Sequence, residues 1–149
     1  RLHKEKYRKD LSGEGAQIAG GRWNSVGVPM IYTSQSRSLS TAEVAVNLPL
    51  GVVPGGFEIT TINIPDDCKL SEILIKDLPP GWKTFPPTTT TQKIGDQFII
   101  QGKYLVMKVP SAVVPGDFNY LINPRHPDFG RIEIIKKEPY EFDERFFNR

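Results

Sequence analysis

The sequence predicts an α+β fold in a single domain. Short strand-like runs are mixed with two stretches of helical period in an irregular order, without the regular strand–helix alternation of a parallel sheet. No internal repeat interrupts the chain. At 149 residues it has the usual size of one domain and can bury a core without disulfides or a structural metal.

The elements follow in order. Met30-Ile31-Tyr32 is short, apolar and aromatic, and follows the turn material Gly27-Val28-Pro29, so a buried strand is expected there. Ser34 to Ser38 offers several N-caps, and Leu39, Ala42, Glu43 and Val46 recur at i, i+3, i+4 and i+7 before Pro49 ends the helix. That spacing turns Glu43 inward with the apolar residues and leaves Thr41 and Asn47 outside. Phe57 to Ile64 alternates as a strand between Gly55-Gly56 and Pro65-Asp66-Asp67. Residues 78–91, with Pro79-Pro80-Gly81-Trp82 and Pro86-Pro87, read as an ordered surface connection more than a domain boundary, since a second domain beyond it would have only about 60 residues. Thr91 can cap a helix to about Gln101, with Ile94 and Phe98 on one face and Gly102 as its stop. Tyr104 to Val109 alternates clearly, Tyr120-Leu121-Ile122 is a further apolar run, and Arg131 to Lys136 alternates as a strand with one buried face.

Composition narrows the function. Hydrophobic residues make up 38% and charged residues 24%, as in a soluble globular protein, and no apolar run approaches the roughly 20 residues that span a bilayer. The net charge of +2 is dispersed and argues against nucleic-acid binding. Cys68 is the only cysteine, which excludes an internal disulfide and points to a reducing, cytoplasmic setting. His3 and His126 are far apart and Asp66-Asp67 has no further ligand, so no metal site is expected. The chain opens at Arg1 rather than methionine, so a leader peptide would be invisible in it.

Two anomalies carry the chemistry. Gly20-Gly21-Arg22-Trp23-Asn24-Ser25-Val26-Gly27 sets one cation and one aromatic ring among loop-forming residues. Glycines let backbone N–H groups approach a ligand, and the guanidinium fork suits phosphate, so this loop is a candidate anion site; capping of a carbonyl by Arg22 is the plainer alternative. Glu43 on an apolar helix face is costly unless paired. It is either buried against an arginine such as Arg1 or Arg22, or a carboxylate lining a pocket. Ser111 follows Pro110 at a strand end, where it either stabilises a turn or faces a ligand. No Gly-x-Ser-x-Gly elbow and no Gly-x-Gly-x-x-Gly fingerprint occurs, against a serine hydrolase and a Rossmann-bound redox cofactor.

Taken together, Leu11-Ser12-Gly13-Glu14-Gly15-Ala16, Gly20-Gly21-Arg22-Trp23-Asn24-Ser25, Ile31-Tyr32-Thr33-Ser34, Ala42-Glu43, Val109-Pro110-Ser111 and Ile122-Asn123-Pro124 closely resemble the RES-domain family, in order and over essentially the whole chain. The family's arginine, glutamate and serine look like Arg22, Glu43 and Ser111, its N-terminal strand arginine like Arg1, and its active-site tyrosine like Tyr32. The resemblance implies an ADP-ribosyltransferase-like mixed sheet with flanking helices, and a bacterial toxin of a type II toxin–antitoxin pair that destroys NAD+. NAD+ is then a substrate and no cofactor is needed. The implied partner is a Xre-like helix-turn-helix antitoxin; self-association within that complex is open.

On this reading Glu43 stabilises the oxocarbenium-like state of nicotinamide–ribose cleavage. Arg22, with Arg1 and Ser111, holds the pyrophosphate; Tyr32 positions the nicotinamide; Asn123 bonds a ribose or amide group. Water and phosphate both remain open as acceptor. The rival readings are ADP-ribose transfer to a macromolecule and a non-catalytic nucleotide-binding module.

Overall fold

The computed structural model describes residues 1–7 and 11–148 and shows an α+β domain of two small sheets. Strands β1 (Leu2–Lys4), β3 (Phe57–Asn63) and β7 (Glu133–Tyr140) form an antiparallel sheet in the order β1-β3-β7. Strands β2 (Ile31–Ser34), β4 (Leu70–Glu72), β5 (Val106–Pro110) and β6 (Phe118–Ile122) form a mixed sheet in the order β2-β6-β5-β4, in which only β4 runs parallel to its neighbour. Among the described residues three α-helices flank them: α1 (Glu14–Ala19), α2 (Arg37–Ala45) and α3 (Thr89–Gln101).

The mixed sheet is covered on both faces, which explains why β5 is buried almost throughout. Met107, Val109 and Leu121 pack with Trp23, Trp82, Phe98 and Ile99 beneath α3. Val106 and Ile122 point the other way, toward Ile31, Leu105 and the end of β3 at Ile62. The alternation read over 104–109 is real, but both of its faces are apolar environments. A third cluster joins Leu2, Phe57 and Ile59 to Phe142 and Phe147, and Val44, Ala45 and Leu48 of the α2 region close over it.

Helix α2 begins where the cap signal lies, since the Ser36 side chain accepts the Leu39 N–H at 3.1 Å. Its inward face differs from the expected stripe. The helix ends at Ala45, Val46 is 61% exposed, and Leu39, Ser40 and Thr41 are the buried residues. Thr41 was expected outside; instead its hydroxyl contacts the Arg37 carbonyl at 3.0 Å and the Tyr140 hydroxyl at 2.6 Å. Glu43 is half-buried and faces a cleft rather than the apolar core.

Strand β7 is longer and more exposed than the expected 131–136 segment, because it forms the sheet's edge and most of its side chains, Ile135 included, face solvent. The proline-rich connection packs into the core through Trp82, whose ring lies 6.3 Å from that of Trp23. Helix α3 starts at Thr89 rather than after Thr91, and Gly102 ends it in the left-handed conformation at φ 58°. Among the described residues no helix is long and apolar enough to cross a membrane.

Helix α3 and the 20–27 loop touch backbone to backbone at Gly95, where a Cβ would lie 1.6 Å from the Trp23 carbonyl oxygen. Gly95→Ala is therefore expected to destabilise the fold by about 3 kcal/mol in urea unfolding, an overpacking cost. Gly130→Ala, whose added methyl meets nothing within 4 Å, should stay near wild type; equal midpoints for the two variants would refute the close contact.

Candidate functional site

Two adjoining cavities open between the sheets. The larger is about 570 Å³ and the smaller about 100 Å³, and Arg1, Thr33, Ser34 and Ser40 line both. Only the smaller one reaches Glu43, together with Tyr32 and Asn119. It is built from the end of β2, one face of α2 and the start of β6.

The Glu43 carboxylate is held by neutral donors. Its Oε1 accepts from the Ser111 hydroxyl at 2.7 Å and from Asn119 Nδ2 at 2.6 Å. Among the described residues no cation pairs with it, so of the two readings open for Glu43 the geometry favours the cavity carboxylate over the buried ion pair. Ser111, 2% exposed, is fully engaged: its Oγ also accepts the N–H groups of Val113 at 3.1 Å and Val114 at 2.9 Å. A hydroxyl has one proton to give and two lone pairs, so this serine both closes its turn and orients Glu43. It has no spare capacity for a phosphate oxygen.

The glycine-rich stretch is not a backbone cradle. The N–H groups of Gly20, Gly21, Trp23 and Ser25 are donated to Ala16, Asn24, the Tyr32 hydroxyl and Asp96. Asn24 is the hub. Fully buried, it donates to the carbonyls of Ala16 at 2.7 Å and Val28 at 2.9 Å and accepts the Tyr32 hydroxyl at 2.6 Å. Gly21 has to be glycine here, because a Cβ would come within 2.7 Å of the Tyr32 hydroxyl. Gln92 and Asp96 of α3 complete the anchorage, through Gly21 O at 3.0 Å and the Ser25 hydroxyl at 2.6 Å.

Arg22 projects from this loop onto the proline-rich connection, where Nη1 donates to Trp82 O at 2.6 Å and Thr84 O at 3.1 Å, and Nη2 to Lys83 O at 3.4 Å. The carbonyl-capping alternative thus describes three of its five N–H groups, and two are left for an anion. Burial lowers its pKa from the ordinary value, while the charge of Glu43 acts in the opposite sense. The two groups therefore lie within electrostatic reach of each other without touching.

Tyr32 is among the residues lining the small cavity, packs against the core cluster of Trp23 and Met30, and its hydroxyl donates to Asn24 Oδ1 at 2.6 Å and accepts the Trp23 N–H at 3.1 Å. Burial pushes this phenol well above its ordinary pKa, so it stays protonated. Arg1 lines both cavities, and its backbone extends the β1–β3 pairing through Thr60. Asn123 is not brought to the site. It is 1% exposed just beyond β6, with Nδ2 on the Ile99 carbonyl at 3.4 Å and Oδ1 accepting the Arg125 N–H at 2.9 Å. It lies four residues, or about 13 Å of strand, from Asn119. Asn119 is the asparagine that touches Glu43. The sequence gives no signal for it, because it sits as one polar residue beside aromatic neighbours.

The fold and this cleft define a class, and comparison with known proteins gives the family. The RES domain matches residues 1–143, and the chain belongs to the RES-domain family. It is 37% identical over 142 residues to the "Prs ADP-ribosylating toxin" of a Sphingobium species, covering 94% of this chain and 88% of that protein. It is 33% identical over 147 residues to the "Toxin Res" of Photorhabdus laumondii, covering 97% and 94% of the two chains. The crystal structure of the Mycobacterium tuberculosis MbcT–MbcA toxin–antitoxin complex shares the fold, with a TM-score of 0.70 at 19% identity over 95% of this chain and 82% of that one.

The Tyr32 hydroxyl is assigned a structural role by its partners. Tyr32→Phe is expected to lower unfolding free energy by about 1–3 kcal/mol, since it strands the Asn24 oxygen and the Trp23 N–H in a buried place. Guanidinium unfolding measures this, and a wild-type midpoint would show that neither group depends on the phenol.

Proposed function

We propose that this chain is the toxin of a type II toxin–antitoxin pair and that it depletes NAD+ by cleaving the bond between nicotinamide and ribose. The observation that carries the reading is the Glu43 carboxylate, held on Oε1 by Ser111 and Asn119 and lining a cavity with Tyr32 and Arg1. An unpaired carboxylate does little for binding a dianionic pyrophosphate. It does much for a sugar that becomes cationic at C1 as nicotinamide leaves, because that charge exists only near the transition state.

The roles divide accordingly. Glu43 stabilises the oxocarbenium-like ribose. The Tyr32 ring packs against the nicotinamide, and the remaining N–H groups of Arg22, with Arg1, hold the pyrophosphate. Ser111 acts through Glu43 instead of touching phosphate, and Asn123 has no part in the cleft. Water as acceptor gives ADP-ribose, nicotinamide and a proton; phosphate gives the 1-phosphate of ADP-ribose. Two relatives support the toxin assignment: the "Toxin Res" of Photorhabdus laumondii, and MbcT, which was solved with its antitoxin. The partner proposed for this chain is a Xre-like helix-turn-helix antitoxin that blocks the cleft, and the setting a cytoplasmic one.

A second reading has its own support, since the 37% identical Sphingobium relative carries the name of an ADP-ribosylating toxin. The same cleavage then ends on a protein side chain in place of water or phosphate.

Incubating the purified, antitoxin-free protein with NAD+, with and without phosphate, tests the proposal. Wild type should consume NAD+, and folded Glu43→Gln should lose about 100- to 1,000-fold in kcat, the scale of removing one electrostatic stabiliser. NAD+ that stays intact in folded wild type, with no ADP-ribose appearing on an added protein, would overturn both readings. Appearance of the modified protein without free ADP-ribose would favour the second.

A further inference from the structure

Asn119 is absent from the site residues that the sequence marks, yet it makes the shortest hydrogen bond to Glu43, at 2.6 Å. We infer that Ser34 and Asn119 form a directional relay that positions Glu43, setting Oε1 as the anchored oxygen and Oε2 as the one presented to substrate; this rests on the proposed role of Glu43.

The relay follows from hydrogen-bond accounting. An asparagine amide has an accepting and a donating end, and which end faces which partner must come from its surroundings. Ser34 supplies that choice: its hydroxyl donates to Asn119 Oδ1 at 2.7 Å, which turns Nδ2 toward Glu43. Ser34 and Asn119 are direct cross-strand partners in the β2–β6 ladder, so the register of two strands fixes their separation. On the other side, the Val113 and Val114 N–H groups fill both lone pairs of Ser111 Oγ and leave its proton for Glu43. Both arms therefore donate, and both reach the same oxygen. Among the described residues Oε2 has no hydrogen-bond partner, while Glu43 lines the small cavity.

The arms differ in what they cost to lose. Ser111 is buried in its own turn, whereas Asn119 and Ser34 are half-buried and line the cavity, so they can be altered with less disturbance to the fold. Without Asn119, Glu43 keeps one tether and can swing about the Ser111 contact. A misplacement of about 1 Å at a reacting centre costs on the order of 100-fold in rate. A positioning residue acts on kcat, since it alters the transition-state contact and not the grip on the rest of the substrate.

The test uses Asn119→Ala, Asn119→Asp and Ser34→Ala in the full chain, with NAD+ turnover and a crystal structure of each variant. Asn119→Ala should lower kcat about 10- to 100-fold with KM within about twofold of wild type. Asn119→Asp, which replaces the donor with a second carboxylate at the same place, should fall further. Ser34→Ala should show a smaller kcat loss, because the amide is free to flip. In each crystal structure Glu43 should leave its wild-type rotamer or occupy two. An unmoved Glu43 with unchanged kcat in Asn119→Ala and Ser34→Ala would overturn the relay, and so would a loss confined to KM. If wild type does not consume NAD+, the catalytic reading fails by itself, and the Glu43 rotamer in the variants still decides the positioning claim.

Discussion

The contact among Glu43, Ser111 and Asn119 joins the two halves of this molecule. Helix α2 packs by Val44, Ala45 and Leu48 on the cluster of Leu2, Phe57 and Ile59, which belongs to the β1-β3-β7 sheet. Its Glu43 reaches the other way, to a turn after β5 and to the first residues of β6. One side chain thus ties a helix seated on one sheet to the ends of the two central strands of the other, across the cleft. A charge in that position has to be satisfied by hydrogen bonds, and here neutral donors satisfy it without neutralising it. One carboxylate oxygen is fixed by those donors, and Glu43 lines the small cavity.

The 20–27 loop shows the complementary strategy. The N–H groups of Gly20, Gly21, Trp23, Ser25 and Gly27 are spent on contacts within the fold, and the Arg22 side chain projects from the loop. Asn24 gathers α1, the approach to β2 and the Tyr32 phenol around one amide. Gly95, Gln92 and Asp96 fasten the result to α3. Arg22 then clips the proline-rich connection by its carbonyls, so this cation and the connection are ordered by one another. Rigid support of this kind is what preorganised electrostatics requires.

What the sequence disclosed depended on the range of the signal. Glu43 was legible because a carboxylate within an apolar period is a local contradiction. The faces around it depart from the periodic pattern at Thr41 and Val46, since the helix stops at Ala45 and Tyr140, nearly a hundred positions away, decides what Thr41 meets. Strands β1 and β4 have three residues each, too few to show a period, and α1 lacks a capping side chain. Arg22 stands out in the sequence by its glycine-rich loop and Ser111 by its place at a strand end, but their contacts are not legible there: the partners of Arg22 lie about sixty positions along, and the proton of Ser111 is directed by two N–H groups of its own turn. Asn123 and Asn119 look alike in sequence, and only the β2–β6 register puts one of them beside Glu43.

The most direct test of the account is a crystal structure of the wild-type protein with an NAD+ analogue whose nicotinamide is joined to ribose by carbon, so that the bond cannot be cleaved. The account predicts the nicotinamide ribose in the small cavity, Glu43 Oε2 against its C1, Oε1 still on Ser111 and Asn119, and the pyrophosphate near Arg22 and Arg1. An analogue bound elsewhere on the surface, or a Glu43 carboxylate turned away from the ribose, would contradict it.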